Sequence, residues 1–221
     1  MSRPETDRLI RDLAREAGAP PRARFLSMRW LLPIAVLSLG VAIALVFLLF
    51  GVSAQLPGTV QGAPFLHKVA SALALAAGGF LLARDAVRPG GEEWGNGWGS
   101  GRWLPALLPG AALLLIGGVT DESGLSSFGR SDVSVPICVG AIVLVSLPAL
   151  GLILAALRSG AATRPGRAGA AAGLLAGALG AAAYALACKN DGGLFVAIWY
   201  TTAIALVAGL GAVVGRRTLA W

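Results

Sequence analysis

The stretch WLLPIAVLSLGVAIALVFLLFGV, residues Trp30–Val52, decides the class of fold, because none of its side chains is charged. A helix needs about 20 apolar residues to cross the core of a bilayer, and this run is long enough. The whole chain of 221 residues is 56% hydrophobic and 13% charged, with a mean hydropathy of +0.75, whereas a soluble domain is about 25% charged. We therefore predict an all-α membrane protein.

Outward from this run, the same combination of length and hydropathy recurs along the chain. We predict six transmembrane helices in a compact bundle, at approximately Trp30–Val52, Phe65–Ala83, Trp103–Val119, Pro136–Leu157, Ala168–Ala187 and Leu194–Gly215. An even number of spans places both termini on the same side of the membrane. Residues 1–29 then form an N-terminal segment, and residues 30–221 form the transmembrane domain.

The basic residues indicate which side holds the termini. Of the 18 Lys and Arg side chains, all except Lys68, Arg130 and Lys189 lie in the N-terminal segment, the second and fourth loops, or the C-terminal tail. Basic residues accumulate in cytoplasmic loops, so we predict that both termini are cytoplasmic. The net charge of +7 then reflects topology rather than direct binding of nucleic acid. We expect the N-terminus to be retained, because the first apolar run is too long for a signal peptide.

Glycines recur at intervals of four residues in the last two predicted spans. Gly169, Gly173 and Gly177 share one face of the fifth, and Gly211 and Gly215 repeat the spacing in the sixth. Such faces let two helix backbones approach closely. We predict packing within the bundle, and homo-oligomer formation through the same face is the alternative.

Ionisable side chains are almost absent from the predicted spans. His67 and Lys68 lie just inside the second span, near its extracytoplasmic end. We expect Lys68 to extend its ammonium group to the membrane surface, and a ligand or proton site in a small transporter is the alternative. The chain has no HExxH, Walker or GxSxG motif and no dense acidic cluster. We therefore predict a protein that is not an enzyme and holds no cofactor.

The two cysteines lie at the same predicted end of the bundle. Cys138 is at the beginning of the fourth span, and Cys188 follows the fifth, both on the extracytoplasmic side. Three interpretations stay open: a disulfide, a thiolate site for a soft metal with His67 as a third ligand, and simple packing of small apolar residues. A membrane redox enzyme is disfavoured because it would need a second dithiol.

The N-terminal segment contains a short amphipathic helix that begins after Thr6 and ends before Gly18. Its apolar stripe consists of Leu9, Ile10, Leu13, Ala14 and Ala17. About three turns of helix are not stable alone. This helix is therefore predicted to lie on the membrane surface or to bind a partner through its apolar stripe.

The stretch from Cys138 to Trp221 resembles the NrsF family of membrane-integral anti-sigma factors. The most specific motifs are ALRSGAATRP at Ala156–Pro165, YALAC at Tyr184–Cys188, FVAIWY at Phe195–Tyr200, and GRR with a terminal Trp at Gly215–Trp221. Weaker support comes from TDRLIRDLA at Thr6–Ala14 and from RPG at Arg88–Gly90.

The resemblance implies a protein of the bacterial inner membrane that binds an ECF-type sigma factor at the cytoplasmic face and keeps it from RNA polymerase. Members of this family are thought to perceive oxidative or heavy-metal stress through two cysteines, and the matching positions are Cys138 and Cys188. The N-terminal segment would contact the sigma factor through Leu9, Ile10, Leu13, Ala14 and Ala17. The zinc-binding HxxxCxxC motif of larger soluble anti-sigma domains does not occur here.

Overall fold

The computed structural model describes most of the apolar part of the chain. The described residues are 6–8, 10–12, 22–51, 62–86, 103–121, 135–160, 162 and 164–219, with the backbone alone for 22–29, 103 and 104. The predictions on Leu9, Leu13, Ala14, Ala17 and the Arg88–Gly90 motif lie outside these residues.

The described residues form helices, and no strand occurs among them. The helices are α1 (Arg22–Leu49), α2 (Ala63–Ala86), α3 (Trp103–Val119), α4 (Val135–Leu157), α5 (Pro165–Tyr184) and α6 (Gly193–Thr218). Helix α6 begins with the α-turn Gly193–Phe195, passes through the π-helical turn Val196–Tyr200, and continues as the α-helix Thr201–Thr218. The predicted all-helical class is confirmed.

Four helices are long and apolar enough to cross a membrane. They are Trp30–Leu49 within α1, together with α2, α4 and α6. Helix α3 is shorter, with 17 residues, and α5 consists mostly of Ala and Gly, which are less apolar than Leu or Ile. All six predicted spans coincide with helices, whereas membrane crossing by α3 and α5 stays a prediction.

Helix α5 lies at the centre of the described bundle. It contacts α1, α2, α4 and α6, and every residue from Leu175 to Tyr184 is buried. Large apolar side chains instead stay exposed on peripheral helices, among them Leu48 on α1 and Leu115 and Val119 on α3. The small side chains of α5 explain its position, because they allow neighbouring helices to approach from all directions.

The glycine faces of α5 and α6 contact each other within the chain. A Cβ atom on Gly169 would overlap the carbonyl of Gly211, and one on Gly173 would overlap the carbonyl of Val207. The predicted close contact is thus present, and α6 occupies this face of α5.

Helix α5 ends earlier than predicted. Its last residue is Tyr184 rather than Ala187, and the chain then tightens, with Leu186 and Ala187 donating backbone hydrogen bonds three residues back, to Ala183 and Tyr184. Such i to i−3 bonds are common at helix ends. Cys188 therefore lies in the segment that connects α5 to α6.

Candidate functional site

The two cysteine side chains meet at one end of the bundle. Cys138 lies in the first turn of α4, and Cys188 follows α5. Both are buried and both are free thiols. The two thiols lie next to each other, and the Cys188 thiol donates to the carbonyl of Asn190 at 3.7 Å. We call Cys138 and Cys188 the thiol pair.

Tyrosine side chains surround the thiol pair. The hydroxyl of Tyr184, the last residue of α5, donates to Cys138 Sγ at 3.6 Å, and Phe50 packs edge-on against its ring. Tyr200, at the end of the π-helical turn, is 1% exposed. Its hydroxyl lies beside the Cys188 thiol but makes no complete hydrogen bond with a described atom. Single π-helical turns are frequent at functional sites.

Lys68 is buried against the segment that carries Cys188. Its side chain is 1% exposed, and its Nζ donates to the carbonyl of Cys188 at 3.4 Å, the carbonyl of Asn190 at 3.2 Å and Asp191 Oδ1 at 2.9 Å. The expectation that Lys68 extends to the membrane surface is therefore wrong. The physical reason is that three oxygens of the α5–α6 connection satisfy its three N–H groups inside the protein.

The charge and hydrogen bonds around Cys188 favour its thiolate form. The neighbouring Cys138 thiol lowers the pKa of Cys188 most, burial opposes this effect, and the Lys68 ammonium group lowers the pKa further. The net result is a pKa below the ordinary thiol value. Because the thiolate is the nucleophile and the metal ligand, Cys188 is the more reactive member of the thiol pair.

His67 is directed away from the thiol pair. Its Nε2 lies 2.6 Å from the carbonyl of Leu113 on α3, and its ring packs against Gly117. Among the described residues, no group of three or more His, Cys, Asp or Glu side chains is placed to hold a metal ion. This arrangement does not make His67 a third ligand to the two thiols.

A cavity of about 480 Å³ lies beside these residues, between α2, α3 and the beginning of α6. Its polar lining comes from His67, Lys68, Thr120, Asp121 and Asp191. The Asp121 carboxylate accepts a hydrogen bond from the backbone N–H of Leu194, in the first turn of α6, at 2.9 Å. Lys68 thus contacts both the cavity and the segment that carries Cys188.

The described part of the N-terminal segment is helical. Residues 6–8 and 10–12 have helical backbone, and Arg11 Nε donates to the carbonyl of Asp7 at 3.1 Å. Ile10, the described member of the predicted sigma-binding stripe, is 57% exposed. Its role as a contact residue stays a prediction.

Sequence reasoning missed Asp191, Asn190, Tyr184 and Tyr200 as members of the site. A signal for Asp191 was present, because an ionisable residue within a span is costly and usually has a partner. Lys68 needed an anion at the same membrane depth, and Asp191 lies in a connection at that end of the bundle.

The fold and the site define a class: a helical protein with four helices able to cross a membrane and a buried thiol pair at one end. Residues 13–221 match the family model NrsF, described as "Negative regulator of sigma F". The chain belongs to the NrsF family. No solved structure shows a significant match to it.

Two relatives align over nearly the whole chain. The "Probable anti-sigma-F factor NrsF" of Azospira oryzae is 31% identical over 230 aligned positions, covering 98% of this chain and 100% of its own. The "Anti-sigma-F factor NrsF" of Caulobacter vibrioides is 32% identical, covering 98% of this chain and 99% of its own. The resemblance to this family inferred from the motifs is confirmed.

Proposed function

We propose that this protein is a non-enzymatic anti-sigma factor that holds an ECF-type sigma factor at the bacterial inner membrane. The observation that carries the proposal is its similarity, over 98% of its length, to two proteins named as anti-sigma-F factors. A sequestered sigma factor is kept from RNA polymerase, so release of the sigma factor turns transcription on.

In this proposal all six helices cross the membrane and both termini are cytoplasmic. The distribution of Lys and Arg supports this orientation: Arg158, Arg164 and Arg167 lie in or near the α4–α5 connection, and Arg216 and Arg217 lie in the last turn of α6. The thiol pair is at the opposite end of these helices, on the extracytoplasmic side.

The signal acts on Cys138 and Cys188. These residues belong to α4 and to the segment after α5, so a chemical change in the pair alters how the two helices are joined. Oxidation to a disulfide would remove two protons and two electrons from the thiols, which an oxidant accepts. A soft metal ion binding both thiolates would displace the two protons instead. Either change biases the bundle between a holding and a releasing state.

The cytoplasmic contact with the sigma factor is made by the N-terminal segment. The apolar stripe of Leu9, Ile10, Leu13, Ala14 and Ala17 is suited to a groove on a partner. The large exposed fraction of Ile10 supports this role, because an apolar side chain in a short helix gains stability when a partner covers it.

A capture experiment tests the proposal. Membranes that contain the full chain, or a chain lacking residues 1–20, are incubated with cytosol, and retained proteins are identified by mass spectrometry. We expect the full chain to retain one sigma factor and the shortened chain to lose it. Retention by both chains would move the contact to the cytoplasmic loops. Retention by neither, under reducing and oxidising conditions, would contradict an anti-sigma function.

Transport through a path at His67 and Lys68 is less well supported. The Lys68 ammonium group already donates to three protein oxygens, and His67 Nε2 is close to the Leu113 carbonyl. A solute would have to displace these contacts. Solute flux in proteoliposomes that disappears in His67→Ala would favour transport.

A further inference from the structure

Lys68 holds the segment that carries Cys188 against α2. Its three hydrogen bonds go to Cys188, Asn190 and Asp191, which lie within four residues of one another in the α5–α6 connection. Cys188 follows the last residue of α5, and its backbone N–H still donates to the carbonyl of Tyr184 at 3.0 Å. Its own carbonyl accepts from Lys68 instead of from a following helical turn, so a side chain from α2 holds the other side of this residue.

Lys68 forms an ion pair with Asp191 at the edge of the cavity. Its Nζ lies closer to Asp191 Oδ1 than to either carbonyl, and the Asp191 side chain is 35% exposed while that of Lys68 is 1% exposed. The ion pair therefore links the buried ammonium group to the cavity, because both residues line it. The Lys68–Asp191 ion pair therefore lies between the cavity and the backbone of Cys188.

We propose that Lys68 is a positioning residue for the thiol pair: it places Cys188 against Cys138 and makes Cys188 the thiol that reacts first with an electrophile. This inference rests on the proposed function, in which the thiol pair receives the signal. Lys68 acts through the carbonyl of Cys188 and through its charge, and does not contact the reacting sulfur.

Several titratable groups act on the Cys188 thiol. The titratable groups that interact with its thiol are Cys138, Tyr184, Tyr200 and Lys68. Lys68 is the cationic side chain among these groups, so its replacement by an uncharged residue disfavours the Cys188 thiolate. Lys189, next to Cys188 in the chain, is exposed and makes none of the buried contacts of Lys68.

The test measures alkylation of the full-length protein in nanodiscs by iodoacetamide. The thiolate sulfur attacks the methylene carbon, a C–S bond forms, the C–I bond breaks, and iodide leaves. Peptide mass spectrometry reports Cys138 and Cys188 separately as a function of pH and time. The midpoint of the pH profile reports the thiolate, and the plateau rate at high pH reports access to the sulfur.

Four variants separate charge from packing. In the unchanged protein we expect Cys188 to be alkylated before Cys138 at neutral pH. Lys68→Met should raise the midpoint for Cys188 by about one pH unit and remove the difference in rate between the two thiols. Lys68→Arg should restore most of both properties. Asp191→Asn, which removes the counter-ion and keeps the ammonium group, should leave the midpoint at or below its original value. Lys189→Met is the matched control and should leave both properties unchanged.

Two results would overturn the proposal. One is an unchanged Cys188 midpoint in Lys68→Met, with a change in plateau rate alone, which would reduce Lys68 to a packing residue. The other is a rise in the midpoint in Asp191→Asn equal to that in Lys68→Met, which would indicate general disorder of the segment. If Lys68→Met does not fold, a raised Cys188 midpoint in Asp191→Asn, which keeps the Lys68 ammonium group, would still contradict the proposal.

The alkylation experiment tests the role of Lys68 separately from the anti-sigma function. If the alkylation results hold but no sigma factor is captured, the positioning role stands and the anti-sigma proposal fails. If a sigma factor is captured but Cys138 and Cys188 react equally in the unchanged protein, the anti-sigma proposal stands and the role of Lys68 fails.

Discussion

The α5–α6 contact and the thiol end of the bundle are stabilised in different ways. The α5–α6 contact uses residues without side-chain bulk, such as Gly169 and Gly211, so that two backbones touch. The thiol end uses polar groups brought from α2, α4 and the α5–α6 connection. The first region is specified by a repeat within each helix, whereas the second depends on partners up to 123 residues apart. Adding atoms at the α5–α6 glycine contact is therefore expected to destabilise the fold. Removing a hydrogen-bond partner is expected to destabilise the thiol end.

The largest effect is expected at the glycine contact. Gly211→Val should strongly reduce folded protein, because a Cβ atom there overlaps the Gly169 carbonyl and Gly173 Cα. Overpacking costs about 1–3 kcal/mol and occasionally more. Gly209→Val is the control on the same helix, since nothing lies within 4 Å of its added Cβ. Thermal unfolding in detergent compares the two variants, and equal loss of stability in both would contradict the packing argument.

The next effect concerns the response at the thiol end. Cys188→Ser should keep sigma-factor capture and abolish release by a thiol oxidant or a soft metal, because the nucleophilic thiol is lost. Cys138→Ser should do the same. The measurement is the amount of captured sigma factor before and after treatment.

Lys189→Met serves as the control for this response, since it keeps both thiols and changes an exposed side chain next to Cys188. Unchanged release in both serine variants would remove Cys138 and Cys188 from the signalling proposal while leaving the anti-sigma function intact.

A smaller effect on stability is expected from Lys68→Met. Without the ammonium group, the carbonyls of Cys188 and Asn190 lose a donor inside the protein. An unsatisfied buried polar group costs about 1–3 kcal/mol. Unfolding in mixed micelles measures this loss, with Lys189→Met expected to change stability by less than about 0.5 kcal/mol. Equal destabilisation by the two substitutions would show that the buried hydrogen bonds of Lys68 do not stabilise the fold.

The smallest effect is expected from the two tyrosine hydroxyls. Tyr184→Phe removes a hydrogen bond to Cys138 Sγ and should lower the free energy of unfolding by about 0.5–1 kcal/mol. Tyr200→Phe removes a buried hydroxyl without a complete hydrogen bond and should be neutral or slightly stabilising. The same unfolding assay compares them. A larger loss in Tyr200→Phe would mean that its hydroxyl bonds to Cys188 in solution.

The sequence was sufficient to predict the helices because their signals are local. A run such as Trp30–Val52 is apolar over its whole length, and the structure contains a helix at each of the six predicted positions. The contact through Gly169 and Gly211 was also predictable, since a four-residue repeat places glycines on one face whatever the partner is. Helix ends were less predictable: α5 ends at Tyr184 and not at Ala187.

The sequence by itself determined the helical class, the positions of the helices, the glycine faces and the family. It also placed both cysteines at one end of the bundle. The tertiary structure alone decided that Lys68 turns inward to Asp191, that His67 turns to Leu113, and that Tyr184 and Tyr200 surround the thiol pair. The physical reason is that hydropathy and periodicity are properties of consecutive residues, whereas the direction of a buried polar side chain depends on which distant atoms can satisfy its hydrogen bonds.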